Sequence, residues 1–105
     1  MNLLQWFYRS KPGEHSVKYV LTGDSDDFNI TYKCSKGCEV IQEPHVKKGW
    51  KHSFIGHAGD YFFFAAQSNK PKSSVQVKIY EDGKLLSNLE KQGDFPLVTA
   101  SGTFS

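Results

Sequence analysis

Period-two alternation of apolar and polar side chains in the middle of the chain is the feature that most constrains its fold. Four short runs show it, Val17 to Leu21, Phe28 to Tyr32, Trp50 to Phe54 and Val75 to Ile79, and a fifth run, Tyr61 to Ala66, is apolar on both faces. A strand with one face on a core and the other in water has this period, whereas no stretch sustains the spacing of an amphipathic helix. We therefore predict an all-β protein, a single immunoglobulin-like antiparallel β-sandwich of about seven to eight strands.

Length and charge narrow the domain organisation and the class of partner. The 105 residues are enough for one ordinary domain and too few for a second core. We assign residues 16–105 to the sandwich and residues 1–15 to an N-terminal aromatic and basic segment with its linker. The formal net charge of +2 is too small to demand a polyanion, and Lys47, Lys48 and Lys51 fit a solvated turn better than a phosphate-binding patch. We predict no nucleic-acid partner.

The N-terminal segment carries a cluster of aromatic and apolar side chains that includes Trp6 and Tyr8. It is too short to span a bilayer and lacks the features of a complete secretion signal. Three interpretations remain: a segment packed on the domain, which we favour, a short amphipathic segment that contacts a membrane or a partner, or the remnant of a longer anchor. Trp6, Tyr8 and Tyr80 are the candidate binding residues, because aromatic rings outside a core offer flat contact surfaces.

Turn-forming residues predict a hairpin at Cys34 to Cys38, a second hairpin at Asp82-Gly83, and one sheet edge. The Asp82-Gly83 dipeptide is a strong hairpin signal, which joins the strand Val75 to Ile79 to a returning strand that contains Leu85 and Leu86. The strand after Cys38 is interrupted by Pro44, so we expect it at an edge, where a partner could add a strand.

The order of several short motifs resembles a known family. The motifs are Val17-Lys18-Tyr19 with Leu21-Thr22-Gly23, Ile30-Thr31-Tyr32, Trp50 with Phe54, Ala66-Gln67, and Val77 through Lys84. Over residues 16–101 the chain resembles the small extracytoplasmic domains of the MmpS family and similar bacterial lipoprotein-like β-sandwiches. The resemblance implies a periplasmic or cell-surface location, a membrane anchor in a longer precursor, and an accessory role beside lipid-exporting membrane transporters. It supplies no catalytic residues.

Cys34 and Cys38 are the only cysteines and flank a three-residue connection. Opposed positions in a hairpin bring Cβ atoms close to the separation that a disulfide needs, and an extracytoplasmic compartment would favour oxidation. We predict a disulfide between them. A zinc site with His45 and a redox switch are the alternatives, and zinc would require further ligands.

Catalytic and cofactor motifs are not evident in the sequence. If His52 and His57 share a strand, their odd separation places them on opposite faces, and the aspartates Asp24, Asp26 and Asp27 are explained by a turn better than by a calcium site. No nucleophile elbow or phosphate-cradling glycine loop occurs. We predict no enzyme activity, no cofactor and no resident metal.

Three classes of function are therefore weighed. The favoured one is a non-catalytic extracytoplasmic interaction domain, an accessory part of a bacterial cell-envelope or membrane transport assembly with a membrane or envelope protein as partner. The alternative is a module that binds carbohydrate or lipid, which predicts a row of exposed aromatic rings. The third is a small metal protein, which predicts that Cys34, Cys38 and His45 converge on an ion.

Overall fold

The computed structural model describes residues 13–34 and 39–104 and confirms the antiparallel β-sandwich. The described residues form eight strands and no helix, so none of them forms a helix that could cross a membrane. The strands are β1 (Glu14–Gly23), β2 (Phe28–Lys33), β3 (Val40–Val46), β4 (Lys51–His57), β5 (Tyr61–Ser68), β6 (Ser73–Glu81), β7 (Lys84–Gly93) and β8 (Leu97–Thr103).

Two four-stranded sheets make up the sandwich. The first sheet has the order β4-β1-β6-β7 and the second has the order β3-β2-β5-β8, with every pair antiparallel. Hairpins join β2 to β3 and β6 to β7, and the other connections cross between the sheets. The prediction that the strand containing Pro44 lies at an edge is confirmed, because β3 is one of the two outer strands of the second sheet.

The core lies between the sheets and consists of the alternate side chains that the sequence pattern marks. Its members are Val17, Tyr19, Leu21, Phe28, Ile30, Tyr32, Phe62, Phe64, Ala66, Val75, Val77, Ile79, Val98, Ala100 and Phe104. Tyr19 lies at the centre, with its ring stacked 4.9 Å from that of Phe64. Its hydroxyl donates a hydrogen bond of 2.7 Å to the Lys33 carbonyl oxygen, and burial raises the pKa of that hydroxyl. The two sheets are thus joined by aromatic packing and by a satisfied polar group.

Two strands differ from the sequence-based expectation. β1 begins at Glu14, so Glu14 and His15, which we assigned to the linker, are strand residues. β7 continues to Gly93, well beyond Leu86, although only Ser87 among its ten residues is even half-buried. Its side chains carry almost no strand signal, and its pairing with β6 determines its conformation.

Candidate functional site

One end of the sandwich collects titratable side chains from three segments of the chain. We call this group the turn-end cluster; its members are Glu14, His15, His57, Asp60, Glu81 and Asp82. All three of the buried side-chain polar atoms that lack a hydrogen-bond partner among the described residues lie in it: His57 Nδ1, Asp60 Oδ2 and Glu81 Oε2. Buried polar atoms without partners are uncommon in folded proteins, so this end of the sandwich is a candidate ligand-binding site.

The β6–β7 turn is fixed against β1 at this end. Asp82 and Gly83 have φ values of 53° and 81°, as a two-residue hairpin turn of the primed type requires. The Asp82 amide donates to the Ser16 carbonyl oxygen at 2.7 Å, and the Ser16 amide donates to Asp82 Oδ1 at 2.8 Å. This reciprocal pair of bonds leaves the other carboxylate oxygen, Oδ2, directed at His15.

His15 lies between the carboxylates of two neighbouring residues on the hairpin. Its Nδ1 is 2.7 Å from Asp82 Oδ2 and 3.3 Å from Glu81 Oε2. The hydrogen bond from His15, together with the Ser16 amide, holds the pKa of the Asp82 carboxyl below its usual value. One imidazole nitrogen and two carboxylate oxygens within 4.8 Å of one another form a donor set that could hold a metal ion.

Packing against the core orients the imidazole. The Phe104 ring centre is 6.2 Å from that of His15 and 5.2 Å from that of Phe62. Gly56 makes room for Phe104, because a Cβ at that position would lie 2.7 Å from a ring carbon. The His15 side chain is only 18% exposed as a result, and it borders an open groove of about 380 Å³ that Lys84, Leu85 and Leu86 also line.

The rest of the turn-end cluster is more loosely arranged. His57 Nε2 is 3.6 Å from Glu14 Oε2, and His57 Nδ1 is 3.6 Å from Asp60 Oδ2. Both distances are too long for hydrogen bonds.

A second candidate surface runs along the side of the sandwich where β7 lies beside β8. Of the eight exposed large hydrophobic side chains among the described residues, five lie on β7, on the β7–β8 turn and at the start of β8: Leu85, Leu86, Leu89, Phe95 and Leu97. We call them the apolar margin. Exposed apolar groups along an open strand are typical of interaction sites.

Tyr80 is the one predicted binding residue among the described residues, and it belongs to neither the turn-end cluster nor the apolar margin. Trp6 and Tyr8 lie outside the described residues. Tyr80 is half-buried on the outer face of the first sheet, with Lys18 Nζ 5.3 Å from its ring centre. Trp50 packs against the core, with its ring centre 5.0 Å from that of Tyr32.

The predicted row of exposed aromatic rings is not formed by the described residues. Tyr61 and Phe95 are the exposed aromatic side chains among them. Tyr61 lies at the start of β5, whereas Phe95 accepts a hydrogen bond at its carbonyl oxygen from Gln67, near the other end of β5. Six strand residues separate these ends by roughly 20 Å, which is too far for one sugar ring to contact both.

The prediction that His45 and the cysteines converge on a metal is wrong for Cys34 and His45. Cys34 follows the last residue of β2, whereas His45 lies beside the first, since Phe28 pairs with Val46 and Lys33 pairs with Val40. About 17 Å of strand separates them. Cys34 is disulfide-bonded, and Cys38 lies outside the described residues, so their pairing stays a prediction.

Sequence reasoning missed the His15, Glu81 and Asp82 group because 66 residues separate the first from the second. The Asp-Gly turn signal predicts where Glu81 and Asp82 lie, but only the pairing of β1 with β6 brings His15 to them. The chain matches no protein-family model, and no curated protein matches it.

Proposed function

We propose that this protein is a non-catalytic extracytoplasmic interaction domain that binds an extended segment of a partner protein along β7. The observation that carries the proposal is the combination in β7 of an outer position in its sheet, a length of ten residues and three exposed leucines. An outer strand has unpaired backbone amides and carbonyls on one side, and these can form a ladder with an added strand.

The side chains of β7 would give such a contact apolar area on both faces. Leu89 pairs with the buried Val77 and therefore faces the second sheet, whereas Leu85 pairs with Tyr80 and faces outward. A partner strand with apolar residues on both of its faces would cover both leucines. The neighbouring charges, Lys84, Glu90 and Lys91, would remain at the rim and favour a partner segment that carries both signs of charge.

Two further points support an extracytoplasmic accessory role. Cys34 is disulfide-bonded, and structural disulfides persist in oxidising compartments such as the bacterial periplasm and cell surface. The sequence resemblance to MmpS-like domains favours membership of a bacterial cell-envelope or membrane transport assembly. A protein of that assembly would supply the extended segment.

Selection of peptides from a random displayed library on the intact folded chain tests the proposal. We expect enrichment of peptides that carry apolar residues at neighbouring positions, so that both faces of the added strand are apolar. In the Leu85→Lys/Leu89→Lys double variant, their dissociation constant should rise at least about tenfold, because two lysines would have to be buried under the added strand. Hydrogen exchange of the β7 amides should slow when the selected peptide binds.

Val40→Lys is the matched control, because Val40 and Leu85 are both 51% exposed and Val40 lies on the opposite outer strand, β3. We expect this variant to bind the selected peptide as the wild type does, with circular dichroism confirming that both variants are folded. Equal losses in the two variants, unchanged binding in the leucine variant, or the failure of any peptide to be enriched would each contradict the proposal.

A further inference from the structure

We infer that His15, Glu81 and Asp82 form a binding site for one divalent transition-metal ion, with His15 Nδ1, Glu81 Oε2 and Asp82 Oδ2 as its ligands. The three atoms lie within 4.8 Å of one another and come from β1 and the β6–β7 hairpin. This site goes beyond the proposed strand binding, and it differs from the sequence-based prediction, which contained no resident metal.

The spacing of the donor atoms suits a small cation. Ligands bound tetrahedrally at Zn²⁺ distances are roughly 3.3 to 3.5 Å apart. His15 Nδ1 and Glu81 Oε2 are already 3.3 Å apart. The 2.7 Å contact between Nδ1 and Asp82 Oδ2 is a hydrogen bond, and replacing its proton by a metal requires Asp82 to move outward by roughly 0.6 Å. The Asp82 side chain is half exposed and has room to make that movement.

A bound cation would give partners to more polar atoms of this group than the hydrogen bond between His15 and Asp82 does. Nδ1 can carry one proton and directs it to Asp82, so Glu81 Oε2 is left buried and without a hydrogen-bond partner. A divalent cation would interact with all three atoms at once and neutralise both carboxylates. Lys84, which also borders the groove, forms no ion pair with them at 4.0 Å or less among the contacts described.

The surroundings provide the outer support that metal ligands usually have. The Ser16 amide holds the second oxygen of Asp82, and Phe104 packs beside the imidazole ring. The groove of about 380 Å³ leaves the fourth coordination position open to water or to a ligand from outside.

The donor set also selects the class of metal. Imidazole nitrogen suits Zn²⁺, Co²⁺ and Ni²⁺, whereas Ca²⁺ and Mg²⁺ prefer six or more oxygen ligands that three side chains cannot supply. Titration of the metal-stripped, tag-free chain with Zn²⁺ by calorimetry should show one ion bound per chain, and Ca²⁺ should bind far more weakly. The proton resonances of the His15 ring should shift on Zn²⁺ addition, whereas those of His45, His52 and His57 should not.

Glu81→Gln is the decisive variant, because it keeps the size of the side chain and removes the charged ligand. We expect its Zn²⁺ affinity to fall at least about tenfold. Glu90→Gln, at an exposed position on β7, is the matched control and should bind Zn²⁺ as the wild type does. Asp82→Asn provides a second test, because its amide oxygen can still accept from the Ser16 amide, and it should also weaken binding.

Several results would overturn the inference: no one-to-one Zn²⁺ binding, equal affinities in the Glu81→Gln variant and the wild type, equal binding of Ca²⁺, or a shift of His57 instead of His15. The Leu85→Lys/Leu89→Lys variant keeps all three ligands, so it should retain Zn²⁺ binding. Failure of peptide binding and failure of metal binding are therefore distinguishable.

Discussion

The outer strands β3 and β7 show two ways in which a β-sandwich treats an open edge. Pro44 lies within β3 and removes one amide, His45 has a φ of 57°, and the register with β2 is irregular between Phe28 and Ile30. Each feature disturbs the regular backbone that an added strand needs. β7 is three residues longer and contains no proline, and its one irregularity lies at the end near Tyr80.

The two strands also differ in what holds them to the molecule. Ile41 and Val46 of β3 pack against the core, and Glu43 accepts a 2.7 Å hydrogen bond from the Tyr32 hydroxyl. β7 contributes no buried side chain and is attached by its ladder with β6, with one added side-chain bond from Gln76 to Asn88. Side chains and backbone features thus bind β3 to this domain and interrupt its edge, whereas the ladder of β7 is regular over most of its length, as the proposed strand addition requires.

The largest expected difference between β3 and β7 is in how much their side chains stabilise the domain. Truncating one aliphatic side chain on each strand measures it. Ile41→Ala should lower the free energy of unfolding by about 2 kcal/mol, because Ile41 is half-buried against the core. Leu86→Ala removes the same number of carbons from β7, where the side chain is 40% exposed. This variant should change the free energy of unfolding by less than about 0.5 kcal/mol. Urea unfolding at neutral pH measures both.

A similar loss in both variants would show that β7 contributes to the stability of the domain as much as β3 does. In that case the leucines of the apolar margin are part of the fold, and their exposure gives no reason to assign them to a partner. The m-values should match that of the wild type, since neither change alters the surface exposed on unfolding by much.

The same contrast explains which strands the sequence could predict. Strands with a buried inner face, such as β1 and β6, alternate in sequence as they alternate in burial. Only Leu85 and Leu86 at the start of β7 were predicted as strand, since Ser87 to Gln92 is almost entirely polar and its conformation depends on the distant β6. Pro44 did predict the edge position of β3, because a missing amide is tolerated only there.

The candidate sites were less predictable because they arise from tertiary pairing. No local pattern joins His15 to Glu81, and the pairing of Val17 with Glu81 that brings them together depends on strand order. The apolar margin is equally hidden, since exposed leucines and buried leucines look alike in a sequence until the sheet order is known.

A middle-sized effect is expected from removing the hydroxyl that ties β2 to β3. Burial and the hydrogen bond to Glu43 raise the pKa of Tyr32 from 10.0 to about 12. The folded state therefore favours the neutral phenol, so this stabilisation is complete below pH 10 and is lost as the pH rises from 10 to 12. Tyr32→Phe should be less stable than the wild type by about 1 to 2 kcal/mol at pH 7, and the difference should shrink above pH 10.

Tyr80→Phe is the control on the β7 side, because Tyr80 pairs with Leu85 and its hydroxyl forms no hydrogen bond among the described contacts. It should change the stability at pH 7 by less than about 0.5 kcal/mol. Chemical unfolding at pH 7 and at several values above 10 gives both results. If the difference in free energy of unfolding between the wild type and Tyr32→Phe is unchanged across that pH range, the role given to the hydrogen bond between Tyr32 and Glu43 is refuted.

The smallest effect is expected from the hydrogen bonds of Asp27, one of which holds His45 near the C-terminal end of β3. Asp27 Oδ1 accepts hydrogen bonds of 2.9 Å from Asn69 Nδ2 and from His45 Nδ1. These bonds, with Asn69 the larger influence, lower the pKa of the Asp27 carboxyl from its usual 3.8. A lowered pKa contributes stability that is present above pH 3.8 and is lost as the pH falls through the lower folded-state value.

Asp27→Asn cannot take up that proton, so its stability should fall less steeply than that of the wild type as the pH is lowered below 3.8. Thermal unfolding from pH 5 to pH 2 measures the slope. Asp26→Asn is the control, because it removes one carboxylate from the same loop and leaves the hydrogen bonds of Asp27 to His45 and Asn69 in place. It shows how much of the change in slope comes from the loss of loop charge alone. If both variants change the pH dependence of the stability between pH 5 and pH 2 equally, the hydrogen bonds of Asp27 do not hold the end of β3. The contrast with β7 would then rest on Ile41, Val46 and Tyr32.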